Sequence, residues 1–407
     1  MKSALISTAL LTAALTLPLP AKADVITDWN QKTGELITEA KLGTPPAIRV
    51  MAIVQTGAYD AVNAITQRYP GAAAIPRAAK GASIEAAVAA AHRGVLLKLM
   101  PAQQASIEAA YKAALAAIAE NDAKTTGVAI GEQAAAQVLA RRADDRPATP
   151  VAYRPHAGAG AYVPTVSPAV PQWSQRKPWL MASPAQFRPA APPVLTGDAW
   201  ARDYNEVKAL GSKTSATRTP EQTAIAVFWE YSLPSIYYGV VRSVAEQPGR
   251  DVTRNALLFA MTSQAMDDAL ISVFDAKYHY NFWRPVTAIR NGDIDGHDGT
   301  ERDDSWVSLV DAPMHPEYPS GHGILAGAVA TVLKADIAGD KTPKLTTTSP
   351  TAKGAARSWT SLDDFVREVA ESRVFAGIHY RTSIDVAVDM GRRIGDLAAK
   401  RMQTPGQ

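Results

Sequence analysis

The chain has 407 residues, with 42 Lys and Arg against 39 Asp and Glu and no cysteine. A balance so near neutral gives no strongly basic face for nucleic acid or anionic membranes, and the lack of thiols excludes disulfides and thiolate metal centres. Stability must come from a packed core, and the length is ample for a large core or two lobes.

Residues 1–23 read as a secretory signal: Met1-Lys2, an apolar run from Ala4 to Leu19, then Ala21-Lys22-Ala23 as an Ala-x-Ala cleavage pattern. The expectation is cleavage near Ala23 and a secreted or periplasmic mature chain. The apolar run is too short to span a bilayer, and no later segment reads as a transmembrane helix.

Residues 24–145 read as an N-terminal helical half. From Thr44 to Ile65, Ile48, Met51, Tyr59 and Val62 recur at helical spacing behind Pro45-Pro46. Three Ala-rich segments follow at Ser83–Met100, Pro101–Ala119 and Thr126–Ala143, and their short connections predict antiparallel neighbours in a bundle. Tyr59, Asp60, Asn63 and His92 read as hydrogen-bonded contacts between helices.

Residues 146–196 form a Pro-rich surface connection without helical period. Tyr162, Trp173, Trp179 and Phe187 read as anchors onto the core, so this stretch joins two helical halves and can roof a cavity.

Residues 197–407 form the C-terminal helical half. Helices are expected at Gly197–Leu210, after a capping box at Thr219-Pro220-Glu221-Gln222, at Ile236–Glu246, and from Asp251 to about Lys277. No long alternating strand pattern occurs, so the predicted fold is all-α, built of helical bundles. The acidic run Asn291–Asp304 reads as a solvated turn, because Asp298 stands where a calcium loop needs glycine. The tail from Ile384 to Met402 reads as a closing helix.

Three segments carry chemistry. His315-Pro-Glu-Tyr-Pro-Ser-Gly-His-Gly323 opens a helix: Ser320 is the N-cap, and Ile324, Leu325, Ala328, Val329, Val332 and Leu333 form its buried face. The free amides of that start, with Gly321 admitting a ligand close to the backbone, suit an anion, and His322 beside it can exchange protons near neutral pH. Lys277 and Arg284 are seven apart, nearly two helical turns, and are expected on one helix face with Pro285 ending it. Arg373 and His379 are six apart, and Gly377 permits the break that brings them together. One ammonium, two guanidiniums, a hydroxyl and two imidazoles are the equipment for a tetrahedral oxyanion. His279, His297 and His315 read as supporting or structural groups, having no spacing suited to a metal.

The set resembles the family that unites vanadium-dependent haloperoxidases with type 2 phosphatidic acid phosphatases and bacterial acid phosphatases. Its pattern of Lys, six residues, Arg-Pro, then Pro-Ser-Gly-His, then Ser-Arg, five residues, His is matched by Lys277, Arg284-Pro285, Pro319 to His322, and Ser372-Arg373 to His379. Ala58 to Ile65, Asn281 to Pro285 and His315 to His322 are similar to the soluble bacterial haloperoxidase-like branch. The resemblance implies an enzyme. As a haloperoxidase it would hold vanadate on His379, with Lys277, Arg284, Arg373, Ser320 and Gly321 on the oxygens and His322 handling the protons of peroxide while halide is oxidised. As an acid phosphatase it would need no cofactor: His379 would attack the phosphomonoester and His322 would protonate the leaving group. A noncatalytic oxyanion-binding protein is the third reading. Phosphatases of the family usually carry Asp four residues after the second histidine, where this chain has Ser383. That departure leaves His379 without an expected support and favours the haloperoxidase reading. Peroxide and halide, or a phosphate ester, are then the small-molecule partners, and family members often form homo-oligomers.

Overall fold

A computed structural model describes residues 24–69, 81–145 and 151–403. The proposed signal segment and the first five residues of the Pro-rich connection lie outside the described residues.

The chain opens with α1 (Val25–Glu39), a helix not expected from the periodicity above although its start is marked. Asp24 caps it, accepting from the amides of Ile26 and Thr27, and Trp29, Leu36 and Ile37 are buried on one face. Next come α2 (Thr44–Thr66), α3 (Ile84–Leu99), α4 (Gln104–Ala116) and α5 (Asp122–Arg141). The predicted segments are therefore helical, with Ser83 capping α3 and a short 3-10 turn at Pro101–Gln103 leading into α4. The four polar residues make local or inter-helix contacts: Asp60 pairs with Arg141, Asn63 brackets the backbone of Tyr69, and His92 Nδ1 lies 2.8 Å from the Val88 carbonyl. Tyr59 is buried and its ring lies 6.3 Å from that of Tyr69.

The Pro-rich connection has no α-helix over 151–197 and is pinned by its aromatics, as expected. Tyr162 and Trp173 are buried, and Trp179 and Phe187 pack on the main core. The strongest anchor is a carboxylate: buried Asp268 accepts the backbone amides of Trp179, Leu180 and Met181 at 2.7, 2.8 and 2.9 Å. Asp267 beside it takes the Trp179 indole N–H at 2.7 Å and pairs with Arg49 of α2.

The C-terminal half contains α6 (Asp198–Gly211), α7 (Pro220–Phe228), α8 (Ser235–Ala245), α9 (Val252–Tyr280), α10 (Pro285–Arg290), α11 (Gly321–Ile337), α12 (Leu362–Phe375) and α13 (Arg381–Gln403). The capping box at Thr219 and Gln222 is formed. All-α needs one amendment: Leu345–Ser349 (β1) and Ala355–Trp359 (β2) pair as an antiparallel hairpin, Leu345 facing Trp359 and Ser349 facing Ala355. A second amendment concerns α9. It is long and apolar enough to cross a membrane by length and composition, contrary to the sequence expectation, but the apolar window is wholly buried in the protein. It is the central helix, packed by α2, α11 and α13.

Residues of both helical halves join one main core, from Ile26 and Met51 through Met266 to Ile394. α11 and α13 approach most closely through glycine, since a Cβ on Gly391 would stand 2.1 Å from the Ile324 carbonyl oxygen and one on Gly327 would stand 2.4 Å from that of Val388. This contact sets the start of α13 beside the start of α11. An aromatic cluster of Trp200, Tyr204, Phe282, Trp283, Tyr318 and Tyr380 packs together the turn after α9, the turn before α11 and the turn before α13.

Candidate active site

Ser320 caps α11 as predicted. Its hydroxyl accepts the Gly323 amide at 3.3 Å, its carbonyl accepts Ile324, and its own amide donates to Ser383. The amides of Gly321 and His322 are left as the first free donors of the helix, and beyond the adjoining residues and the helix's own backbone no atom lies within 4 Å of where a Gly321 Cβ would stand. Open space therefore faces the helix mouth.

Lys277 and Arg284 both reach this mouth, but not as neighbours on one helix. α9 ends at Tyr280, Asn281 takes a left-handed conformation with φ 50°, and Arg284 is the N-cap of α10. The turn brings the two side chains together. The Lys277 ammonium spends all three protons on carbonyls of the loop ahead of α11: Pro316 at 2.9 Å, Glu317 at 2.8 Å, and Pro319. It clamps that loop, so contact with an oxyanion requires releasing a carbonyl. Arg284 joins two loops: Nε donates to the His315 carbonyl at 3.0 Å, Nη1 donates to Ile378 at 2.7 Å and stands 3.4 Å from His379 Nε2, and Nη2 is 3.0 Å from His315 Nδ1. His315 is thus drawn into the site.

Arg373 and His379 come together as expected. α12 ends at Phe375, and Gly377 at φ 76° turns the chain into the segment that presents His379. Arg373 donates from Nη1 to the Trp229 carbonyl, while its Nε is buried without a partner. His322 Nε2 is likewise sealed and unpartnered. His379 Nδ1 lies 2.7 Å from Glu317 Oε1.

Glu317 is the residue that sequence reasoning missed, and it overturns the expectation of an unsupported His379. Asp385, further along α13, is exposed and plays no such part, while Ser383 sits beside Glu317 without hydrogen-bond geometry. A signal existed: a lone carboxylate between His315 and His322 in a cation-rich motif that lacks its usual aspartate. His279 is exposed, and its ring packs edge-on against Tyr280. In the acidic run, Asp295 is buried and takes the Trp200 indole and the Thr300 hydroxyl, so that turn is internally braced rather than wholly solvated.

The electrostatics are those of a site short of negative charge. Burial, then Arg284, holds the Lys277 ammonium well below its usual range. Burial pushes both Arg284 and Arg373 down to about 10, where they stay charged. Burial and the nearby cations hold His315, His322 and His379 well below the usual imidazole range, so all three are neutral at pH 7. Burial raises Glu317 to about 7, against the pull of Arg284 and Lys277. Three cationic side chains face a single carboxylate, with one guanidinium N–H, one imidazole nitrogen and two backbone amides unpartnered. That donor set fits a tetrahedral oxyanion such as vanadate or phosphate.

Helical bundles with this helix mouth define a class: the chain is similar, in its C-terminal half by sequence and over nearly its whole length by fold, to the vanadium-dependent haloperoxidases. Residues 257–406 match the family model described as VCPO second helical-bundle domain. The chain is 30% identical over 146 residues to the vanadium chloroperoxidase of Curvularia inaequalis, a match covering 30% of this chain and only 23% of that relative. Among solved structures, the first bacterial vanadium-dependent iodoperoxidase superposes with a TM-score of 0.81 at 25% identity, over 95% of this chain and 97% of that one. An apo-type bacterial vanadium-dependent chloroperoxidase shares the fold at TM-score 0.73 and 21% identity, over 89% of this chain and 95% of the other.

Proposed function

We propose that this protein is an exported vanadium-dependent haloperoxidase, oxidising halide with hydrogen peroxide. The observation that carries the proposal is the buried, cation-rich helix mouth faced by His379, whose Nε2 borders Arg284 while Nδ1 is held by Glu317. The overall likeness to the bacterial vanadium-dependent iodoperoxidase, at 25% identity, adds to it.

In this reading His379 Nε2 would hold vanadate, with Arg284, Arg373, the Gly321 amide and Ser320 around its oxygens and Lys277 adding charge from beneath the loop. Vanadate, when bound, supplies the Lewis acid that activates hydrogen peroxide toward halide. His322 is kept neutral by burial and by Arg373, so it can accept a proton from incoming peroxide. The carbonyls of Trp229 and Tyr231 oppose that lowering of its pKa in part. The aromatic cluster behind the turns excludes water from the rear of the site.

The second reading, acid phosphatase through a phosphohistidine, gains from Glu317, which supports a nucleophilic His379 despite Ser383. It needs His322 protonated to release the leaving group, a state that burial and Arg373 disfavour and a bound phosphate dianion would favour. A noncatalytic oxyanion-binding role remains the third outcome. Purified protein supplied with vanadate, iodide or bromide, and peroxide should halogenate a phenolic dye. Hydrolysis of an aryl phosphate, blocked by vanadate, with no halogenation would select the phosphatase. Neither activity with vanadate bound would select the third. His379→Ala should abolish either chemistry. Export is tested by N-terminal sequencing of the extracytoplasmic protein, expected to begin at Asp24.

A further inference from the structure

We propose that Glu317 is a positioning residue that fixes His379 in the tautomer protonated on Nδ1, turning the Nε2 lone pair toward the helix mouth. The assignment rests on reading that mouth as the reaction site, and it serves vanadate binding and phosphoryl transfer alike.

Two constraints from opposite edges of the ring give the same answer. Glu317 Oε1 accepts the Tyr380 backbone amide at 3.0 Å, a donor that cannot reverse, so Oε1 is an acceptor. When Glu317 is ionised, the Nδ1 nitrogen 2.7 Å from the same oxygen brings the proton. Across the ring, Arg284 Nη1 stands 3.4 Å from Nε2, and arginine has only donors, so that nitrogen carries the lone pair. Neither constraint depends on the other.

The position of Glu317 is itself held. Its backbone carbonyl takes the Lys277 ammonium at 2.8 Å, and its side chain is fully buried. Ser383, at the start of α13, has its carbonyl committed to the Ser320 amide and its short side chain beside the Glu317 carboxylate. An aspartate there would set a second carboxylate against the first in a buried space, which is unfavourable. The orienting carboxylate comes from the loop ahead of α11. One loop and the helix start it leads into carry His315, Glu317, the Ser320 cap and His322, while the turn between α12 and α13 supplies the imidazole to be oriented.

The test uses the full mature chain with histidine rings labelled with 15N and no vanadate added. Long-range proton–nitrogen correlation, with the His379 signals assigned by their loss in His379→Gln, should show a protonated Nδ1 and an unprotonated Nε2. Glu317→Gln keeps an acceptor oxygen for both donors and should keep that tautomer, whereas Glu317→Ala should give a tautomer mixture. Orthovanadate affinity, titrated by 51V NMR, should fall about 10- to 100-fold in Glu317→Ala and be largely restored in Glu317→Gln. A wild-type protein protonated on Nε2 overturns the proposal from one spectrum, even if Glu317→Ala does not fold. Unchanged tautomer and unchanged vanadate affinity in a folded Glu317→Ala overturn it too. If Glu317→Ala shifts both while the wild type oxidises no halide, the haloperoxidase reading fails and the positioning role stands. If the wild type oxidises halide and Glu317→Ala moves neither measure, the positioning role fails and the haloperoxidase reading stands.

Discussion

Replacing Asp268 by Ala should destabilise the protein far more at pH 5 than at pH 8. The carboxyl is buried and holds the amides of Trp179, Leu180 and Met181, tying the Pro-rich connection to α9. Burial, reinforced by Asp267, raises it from 3.8 to about 7, against the three amides. The folded pKa lies above the unfolded one, so the group's contribution is full below about pH 4 and is lost as pH rises through about 7. At about 1.4 kcal/mol per pKa unit, the wild type forfeits roughly 3 kcal/mol between pH 5 and pH 8 from this group alone. The alanine variant lacks that dependence. At pH 5 it leaves three amides without an acceptor, each worth about 1–3 kcal/mol if dry and less once water enters the vacated space, for a net loss of about 3 kcal/mol. Urea unfolding followed by tryptophan fluorescence should therefore give a loss of about 3 kcal/mol at pH 5 and one near zero at pH 8. Limited proteolysis at pH 5 should cut the variant first within residues 151–196. A loss larger at pH 8 than at pH 5 would refute the reasoning, because it would mean that the three amides outweigh burial and keep the carboxylate ionised.

Gly391→Ala forces a Cβ to 2.1 Å from the Ile324 carbonyl and should cost about 1–3 kcal/mol or prevent folding, read as a lowered thermal midpoint. Gly321→Ala has no steric neighbour within 4 Å, so it should leave that midpoint unchanged while weakening vanadate binding by filling the space at the helix mouth. Arg284→Lys gathers all its donors on one nitrogen and loses the fork that reaches His315 on one side and Ile378 with His379 on the other, and a tenfold or greater loss of vanadate affinity by 51V NMR is expected. His279→Ala alters an exposed residue and should move stability by less than about 0.5 kcal/mol and leave halide oxidation unchanged.

Local signals in the chain are legible wherever a short stretch decides its own conformation. Ser320 before an apolar helical face, Thr219 with Gln222, and Gly377 between Arg373 and His379 each act over a few residues, and the structure has a cap, a capping box and a turn there. The missed α1 belongs to the same kind, since Asp24 and the spacing of Trp29, Leu36 and Ile37 announce it. The β1–β2 hairpin does not, because five-residue strands pair through partners rather than through any pattern of their own.

What sequence alone determined is the inventory: an all-α chain with three cationic side chains, two histidines and a capped helix start in family order. Packing decided how they are used. Asn281 adopts a left-handed turn that delivers Arg284 from a separate helix, a fact the seven-residue spacing misassigned. Lys277 has its protons claimed by the backbone of a loop about 40 positions away. Glu317 meets His379 across 62 positions because glycine lets α13 lie directly on α11. Hydrogen-bond partners and burial depend on where distant segments meet, and no local period encodes that meeting.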